Sequence, residues 1–236
     1  MKDRDIDEIL RRAADGAPEI DPALLDRVSQ SIGSSLRPVR PPPPAWVLRA
    51  GLALICGAVA AAGALLLRPY GILKMSGWEI APIFSVLATL IWIAAVLSVA
   101  ETIPGSRRPM APWILLPAGC IGLALVFALL FHDYGTERFV SQGVKCLTAG
   151  LALALPASIA AGLVLRRGFA VSPAAAGLAI GTLAGLAGVT MLELHCPNFE
   201  APHVMVWHIA VLATSAAVGA LVAWTTGAKR PPHPGL

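Results

Sequence analysis

The chain has 236 residues, of which 56% are hydrophobic and 14% charged, and its mean hydropathy is +0.72. That balance excludes an ordinary soluble domain and makes a membrane the default environment. The net charge of +4 comes from basic residues set in pairs between apolar stretches rather than in one patch, which argues against direct nucleic-acid binding.

Residues 1–45 carry no basic n-region, apolar h-region and small-residue cleavage site in succession, so the N-terminus is expected to stay in the cytoplasm. Within them, Ile6, Ile9, Leu10 and Ala13 fall on one helical face and charges on the others. After the Gly16-Ala17-Pro18 break a second helix is expected, with Asp21 as N-cap, Pro22 at its first position and a staple from Ile20 to Leu25. Its apolar stripe is Leu24, Leu25, Val28 and Ile32. A segment of about 40 residues cannot bury a core of its own, so these stripes need a partner. That partner is either the membrane surface or a groove on a soluble protein. The tract Pro38-Val39-Arg40-Pro41-Pro42-Pro43-Pro44 is a stiff, extended spacer that holds the segment off the bilayer and favours the soluble partner. Ile6, Ile9, Leu10, Leu24, Leu25, Val28 and Ile32 are then the partner-binding residues.

Crossing about 30 Å of hydrocarbon takes about 20 apolar residues as a helix. Six stretches qualify: Trp46 to Leu67, Ile80 to Ala100, Pro112 to Phe131, Val144 to Leu165, Pro173 to Leu194 and Val204 to Trp224. The fold class is thus an all-α membrane protein, a six-helix bundle behind a short cytoplasmic helical segment. The expected divisions are residues 1–37 for that segment, 38–45 for the Pro-rich linker, 46–226 for the bundle and 227–236 for a cytoplasmic tail. Short connections with turn formers make neighbouring helices antiparallel. Gly177, Gly181 and Gly185 recur every four residues, the spacing for close helix packing in lipid. Pro117 and Pro156 interrupt the third and fourth spans.

Arg37, Arg40, Arg49, Arg107, Arg108, Arg166, Arg167, Lys229 and Arg230 flank the spans on one side, against Arg68, Lys74, Arg138 and Lys145 on the other. The richer side is expected to be cytoplasmic, with both termini on it, in a bacterial inner membrane.

This topology puts Cys146, Cys196, His195, His203 and His208 at the outer rim, with His132 and Glu193 beside them. Thiolate and imidazole are ligands for copper or zinc, and two nearby thiols can also form a disulfide in an oxidising compartment. A sensory thiol or metal site, a structural disulfide and a pair of inert thiols all fit. Cys56 and Cys120 fall inside spans, where apolar packing is the expectation. Glu193 is read as a ligand, a proton partner or a group that snorkels to water, and Glu101 as one that snorkels.

The order and spacing of Cys146, Gly150, Pro156, Leu165-Arg166-Arg167-Gly168, Pro173, Ala176-Gly177, Leu194-His195-Cys196-Pro197 and Trp207-His208 resemble the NrsF-like family of six-span bacterial anti-sigma factors. The resemblance runs mainly over residues 140–224. It implies a cytoplasmic N-terminus that sequesters an extracytoplasmic-function sigma factor until an envelope signal arrives, and Cys146 and Cys196 as paired outer cysteines tied to metal or oxidative stress. The chain departs from zinc-binding anti-sigma domains, having no His or Cys in its N-terminal segment. No cofactor is required by this reading, and copper or zinc enters as the signal.

The rival reading is a membrane thiol oxidoreductase or a small metal transporter. It lacks a CxxC pair and a polar lining at mid-span. The expectation is therefore a regulator and not an enzyme. The sequence leaves open the sigma factor, the signal, the cysteine pairing and self-association into a homo-oligomer.

Overall fold

A computed structural model of the protein describes residues 8, 11, 21–35, 43–103, 105–166, 168, 170 and 172–227. The chain divides into two compact units, residues 1–41 and 42–236. In the first, helix α1 runs from Pro22–Ser35. Asp21 caps it: its Oδ1 accepts the Ala23 N–H at 2.9 Å, satisfying one of the free amides of the first turn. Leu24, Leu25, Val28 and Ile32 stand about half exposed along this helix, an apolar stripe set against polar faces. Ile6, Ile9, Leu10 and Ile20, residues 38–42 of the linker and residues 228–236 of the tail lie outside the described residues.

The second unit is a bundle of six helices, each long and apolar enough to cross a membrane: α2 (Ala45–Leu67), α3 (Gly77–Thr102), α4 (Pro112–Leu130), α5 (Phe139–Leu165), α6 (Pro173–His195) and α7 (Ala201–Gly227). Local signals set their starts. Pro112 and Pro173 occupy first-turn positions, where a missing amide costs nothing, and Glu79 Oε2 reaches back to the Ser76 N–H at 2.8 Å ahead of α3. The helices continue unbroken through Pro82, Pro117 and Pro156.

The central helix is α6, with 83% of its most apolar window buried, against 22–50% for the others. Its small residues explain the placement, because they let neighbouring backbones approach. A Cβ on Gly177 would lie 2.3 Å from the Gly219 carbonyl, one on Gly181 2.4 Å from the Ser215 carbonyl, and one on Gly188 2.5 Å from the Gly150 carbonyl. So α7 and α5 touch α6 main chain to main chain, while the outer helices bury large side chains such as Leu52, Leu87, Leu97 and Phe127 and expose others such as Leu54, Leu129 and Leu155.

Glu101 corrects the sequence reading. It does not reach out to water but is buried at the end of α3, with Arg108 Nε of the following loop 3.2 Å from its Oε1. The loop folds back over the carboxylate, so the charge is met by a guanidinium rather than by solvent.

Candidate functional site

At the opposite end of the bundle from Glu101, three chain segments converge. Cys146 sits two turns into α5. Cys196 ends α6, its N–H donating to the Leu192 carbonyl at 2.7 Å. The loop that follows is pinned on both sides: Asn198 Nδ2 donates to Gln142 Oε1 at 2.8 Å, and the Ala201 N–H donates to the Asp133 carbonyl at 2.6 Å. The last carbonyls of α6 are satisfied from the α2–α3 loop, Ile72 N–H donating to Leu194 and Gly71 N–H to His195 at 3.1 and 3.2 Å. Gly71 must be glycine here, since a Cβ would lie 2.7 Å from the Cys196 carbonyl.

The first turns of α7 are irregular. Residues Val204–His208 form a π turn inside the helix. In a regular α-helix, positions five apart are about 140° from one another around the axis, at 3.6 residues per turn. A π turn closes after five residues instead, so His203 and His208 share a face. Their rings meet edge to face, with centroids 5.5 Å apart. Trp207, carried in the same turn, fits over Gly143 of α5, where a Cβ would lie 2.0 Å from the indole.

These elements gather four ligand-type side chains. Cys146, Cys196, His203 and His208 place one donor atom each within 4.8 Å of all the others. The Cys146 and Cys196 sulfurs are 3.6 Å apart, and His203 Nε2 is 3.6 Å from Cys196 Sγ. His203, His208 and Cys196 are buried and Cys146 is half-buried. The hydrogen bond with Cys146 and burial together hold the Cys196 thiol above its ordinary pKa.

Behind the cluster stands Glu193, 1% exposed, whose Oε1 takes a 2.6 Å hydrogen bond from His208 Nδ1. That bond fixes the tautomer and turns His208 Nε2 toward the thiols. Nε2 of His208 and Nδ1 of His203 are buried without a hydrogen-bond partner. Buried polar atoms are rarely left so; the free Nε2 of His208 is the one of the two that belongs to a ring already anchored at its other nitrogen, and it is available to a Lewis acid, whereas the cluster-facing nitrogen of His203 is Nε2. A polar cleft of about 800 Å³, lined by Lys74, Asp133, Glu137, Asn198 and Glu200 among others, lies beside the cluster.

The family model described as NrsF, negative regulator of sigma F, matches residues 33–226, over four-fifths of the chain. The chain belongs to that family. The match spans all six bundle helices and all four clustered side chains, and it begins at Gly33, near the end of α1. No curated protein and no solved structure matches the chain.

In this NrsF-family chain the cluster contains four of the five residues expected at the rim. His195 stays outside it: its ring bonds the Arg68 carbonyl through Nδ1 at 2.8 Å and so fastens α6 to the α2–α3 loop. Cys56 is buried against α6, its thiol on the Leu183 carbonyl at 3.1 Å, and Cys120 is half-buried in α4; neither lies near the cluster. The sequence reading left the role of Glu193 open. Its spacing of 15 from His208 gives no signal of contact, because two helices separated by a loop bring the pair together.

Proposed function

We propose that the protein is a membrane-embedded anti-sigma factor of the bacterial inner membrane with both termini in the cytoplasm. Its N-terminal segment holds an extracytoplasmic-function sigma factor and releases it when metal or oxidant acts at the outer Cys146, Cys196, His203 and His208 cluster. Family membership supplies the coarse role, negative regulation of a sigma factor. The observation that carries the finer reading is the clustering of two thiols and two imidazoles at one end of the bundle, the end away from Arg107, Arg108 and Arg166. By the bias of basic residues that end faces outward, where an envelope signal arrives. The apolar stripe of α1 supports a groove-binding mode on the sigma factor, the helix laying Leu24, Leu25 and Val28 into an apolar cleft. The rival reading, an oxidoreductase or transporter, gains no observation of its own.

The test is co-purification of the full-length protein with its sigma factor, identified by mass spectrometry, together with a sigma-dependent reporter. Leu24→Asp with Val28→Asp should abolish co-purification and switch the reporter on. A sigma factor held equally well by that variant would overturn the assignment of α1.

A further inference from the structure

The spacing of the donors in the cluster is close to that of a metal site. Two thiolates on one tetrahedral zinc-type ion, each with a bond of about 2.3 Å, lie about 3.8 Å apart, and a thiolate and an imidazole, with bonds of about 2.3 and 2.05 Å, about 3.6 Å. The observed separations are 3.6 Å between the sulfurs and 3.6 Å between Cys196 Sγ and His203 Nε2. The widest pair of the four donors, at 4.8 Å, needs to close by about 1 Å.

We propose that Cys146, Cys196, His203 and His208 form a four-coordinate site for one divalent ion of the zinc class, with Glu193 as a positioning residue for His208. Three independent features point the same way. The donors are a two-thiolate, two-imidazole set suited to a borderline-soft ion. His208 offers a buried Nε2 with no other partner, and its Nδ1 is tied to a buried carboxylate, the arrangement by which metal-binding histidines are held and made more basic. The charges of the ion and its ligands also balance: two thiolates and a dication sum to zero with both imidazoles neutral, which leaves the Glu193 carboxylate, hydrogen-bonded to His208 Nδ1, as the remaining buried charge. On binding, each thiol loses its proton to water and two sulfur–metal bonds form; no electron is transferred. The inference rests on the regulator reading only for what the ion signals, not for whether it binds.

The experiment is a titration of the reduced, full-length protein in detergent with Zn²⁺ and with Co²⁺ as a spectroscopic probe. One ion per chain is expected, and Co²⁺ should give sulfur-to-metal charge transfer and the ligand-field bands of a four-coordinate ion. Cys146→Ser, Cys196→Ser, His203→Ala and His208→Ala should each weaken binding by about 100-fold or more, and Glu193→Gln by about 10- to 100-fold with the four-coordinate spectrum kept. His195→Ala and Cys56→Ser should bind as the parent does. Gel filtration and circular dichroism report whether each variant is folded. For a variant that does not fold, protection of Cys146 and Cys196 from alkylation by Zn²⁺ in the parent protein replaces it, and absence of protection counts against the site. Unchanged binding in the folded histidine variants, or no ion bound by the reduced parent, would overturn the proposal. Sigma release scored in parallel separates the two readings: an ion bound as described with no effect on the sigma factor overturns the signalling role alone. Release by oxidant in a protein that binds no ion overturns the metal site alone.

Discussion

Deletion of Val206 is expected to leave the four-residue cluster standing, an outcome that follows from the π turn. Val206 is 50% exposed on the outer face of that turn. Removing it places the two histidines four positions apart, which in a regular α-helix is again a shared face, and the helix below keeps its register on α6. Zinc affinity should stay within about tenfold of the parent, about 1.4 kcal/mol. Deletion of Ala210, one turn lower, should instead cost either the packing of the helix below or the site itself. Either the π turn persists and every residue below slips by about 100° and 1.5 Å against the glycine face of α6, or the turn straightens to recover that register. Straightening puts His203 and His208 about 140° apart on a helix whose side chains reach about 5–6 Å from the axis, which separates the rings by roughly 10 Å across it. The donors now lie within 4.8 Å, so no single ion spans the new distance. Competition titration of both deletions with a zinc chelator, alongside the Co²⁺ spectrum, reads the result. Loss of binding on deletion of Val206 in a folded protein, or deletion of Ala210 with both binding and unfolding temperature unchanged, would refute the account of the turn.

Other substitutions probe the scaffold. Gly181→Val should lower the unfolding temperature in detergent by several degrees. Its Cβ would lie 2.4 Å from the Ser215 carbonyl and ordinary contact begins at 3.4 Å, so α6 and α7 must part by about 1 Å, costing about 1–3 kcal/mol. Gly162→Ala, with nothing within 4 Å, should be neutral or slightly stabilising in the same assay. Gly143→Leu should disturb the first turns of α7 by displacing Trp207, seen as a shift in tryptophan emission and weaker Zn²⁺ binding. The same emission and binding should be unchanged in Gly57→Ala, which also meets open space.

Much of the bundle was legible in the sequence because the hydrocarbon thickness fixes element length independently of packing. The span from Trp46 to Leu67 differs from α2 by one residue, and the apolar stretch that begins at Pro173 starts where α6 does, at a position where a missing amide is harmless. The fourth span was read five residues late, since Phe139–Gly143 includes Ser141 and Gln142 and lies at the polar rim, where hydropathy falls before the helix ends. The thiols and histidines were legible as a group because alternating topology sends them to one end. Their selection was not. His195 is the last residue of α6, next to Cys196, yet turns to a backbone carbonyl, and His208 joins the cluster only through a π turn that no residue pattern announces. Glu101 was misread for a related reason: its partner Arg108 lies beyond a turn, and only the fold decides whether a terminal carboxylate meets solvent or a returning loop.

The hydrogen bonds from Gly71 and Ile72 to the end of α6 give α2 an unusual standing among the helices. It is a rod of 23 residues, about 35 Å long, and its two ends are tied to different things. One end leads through the α2–α3 loop to the main chain beside Cys196; the other is covalently continuous with Pro44 and the chain that precedes it. The bonds are to the carbonyls of Leu194 and His195, two residues and one residue before Cys196. Within the bundle, α2 is therefore the helix that joins the backbone beside the thiols to the point where the first span begins.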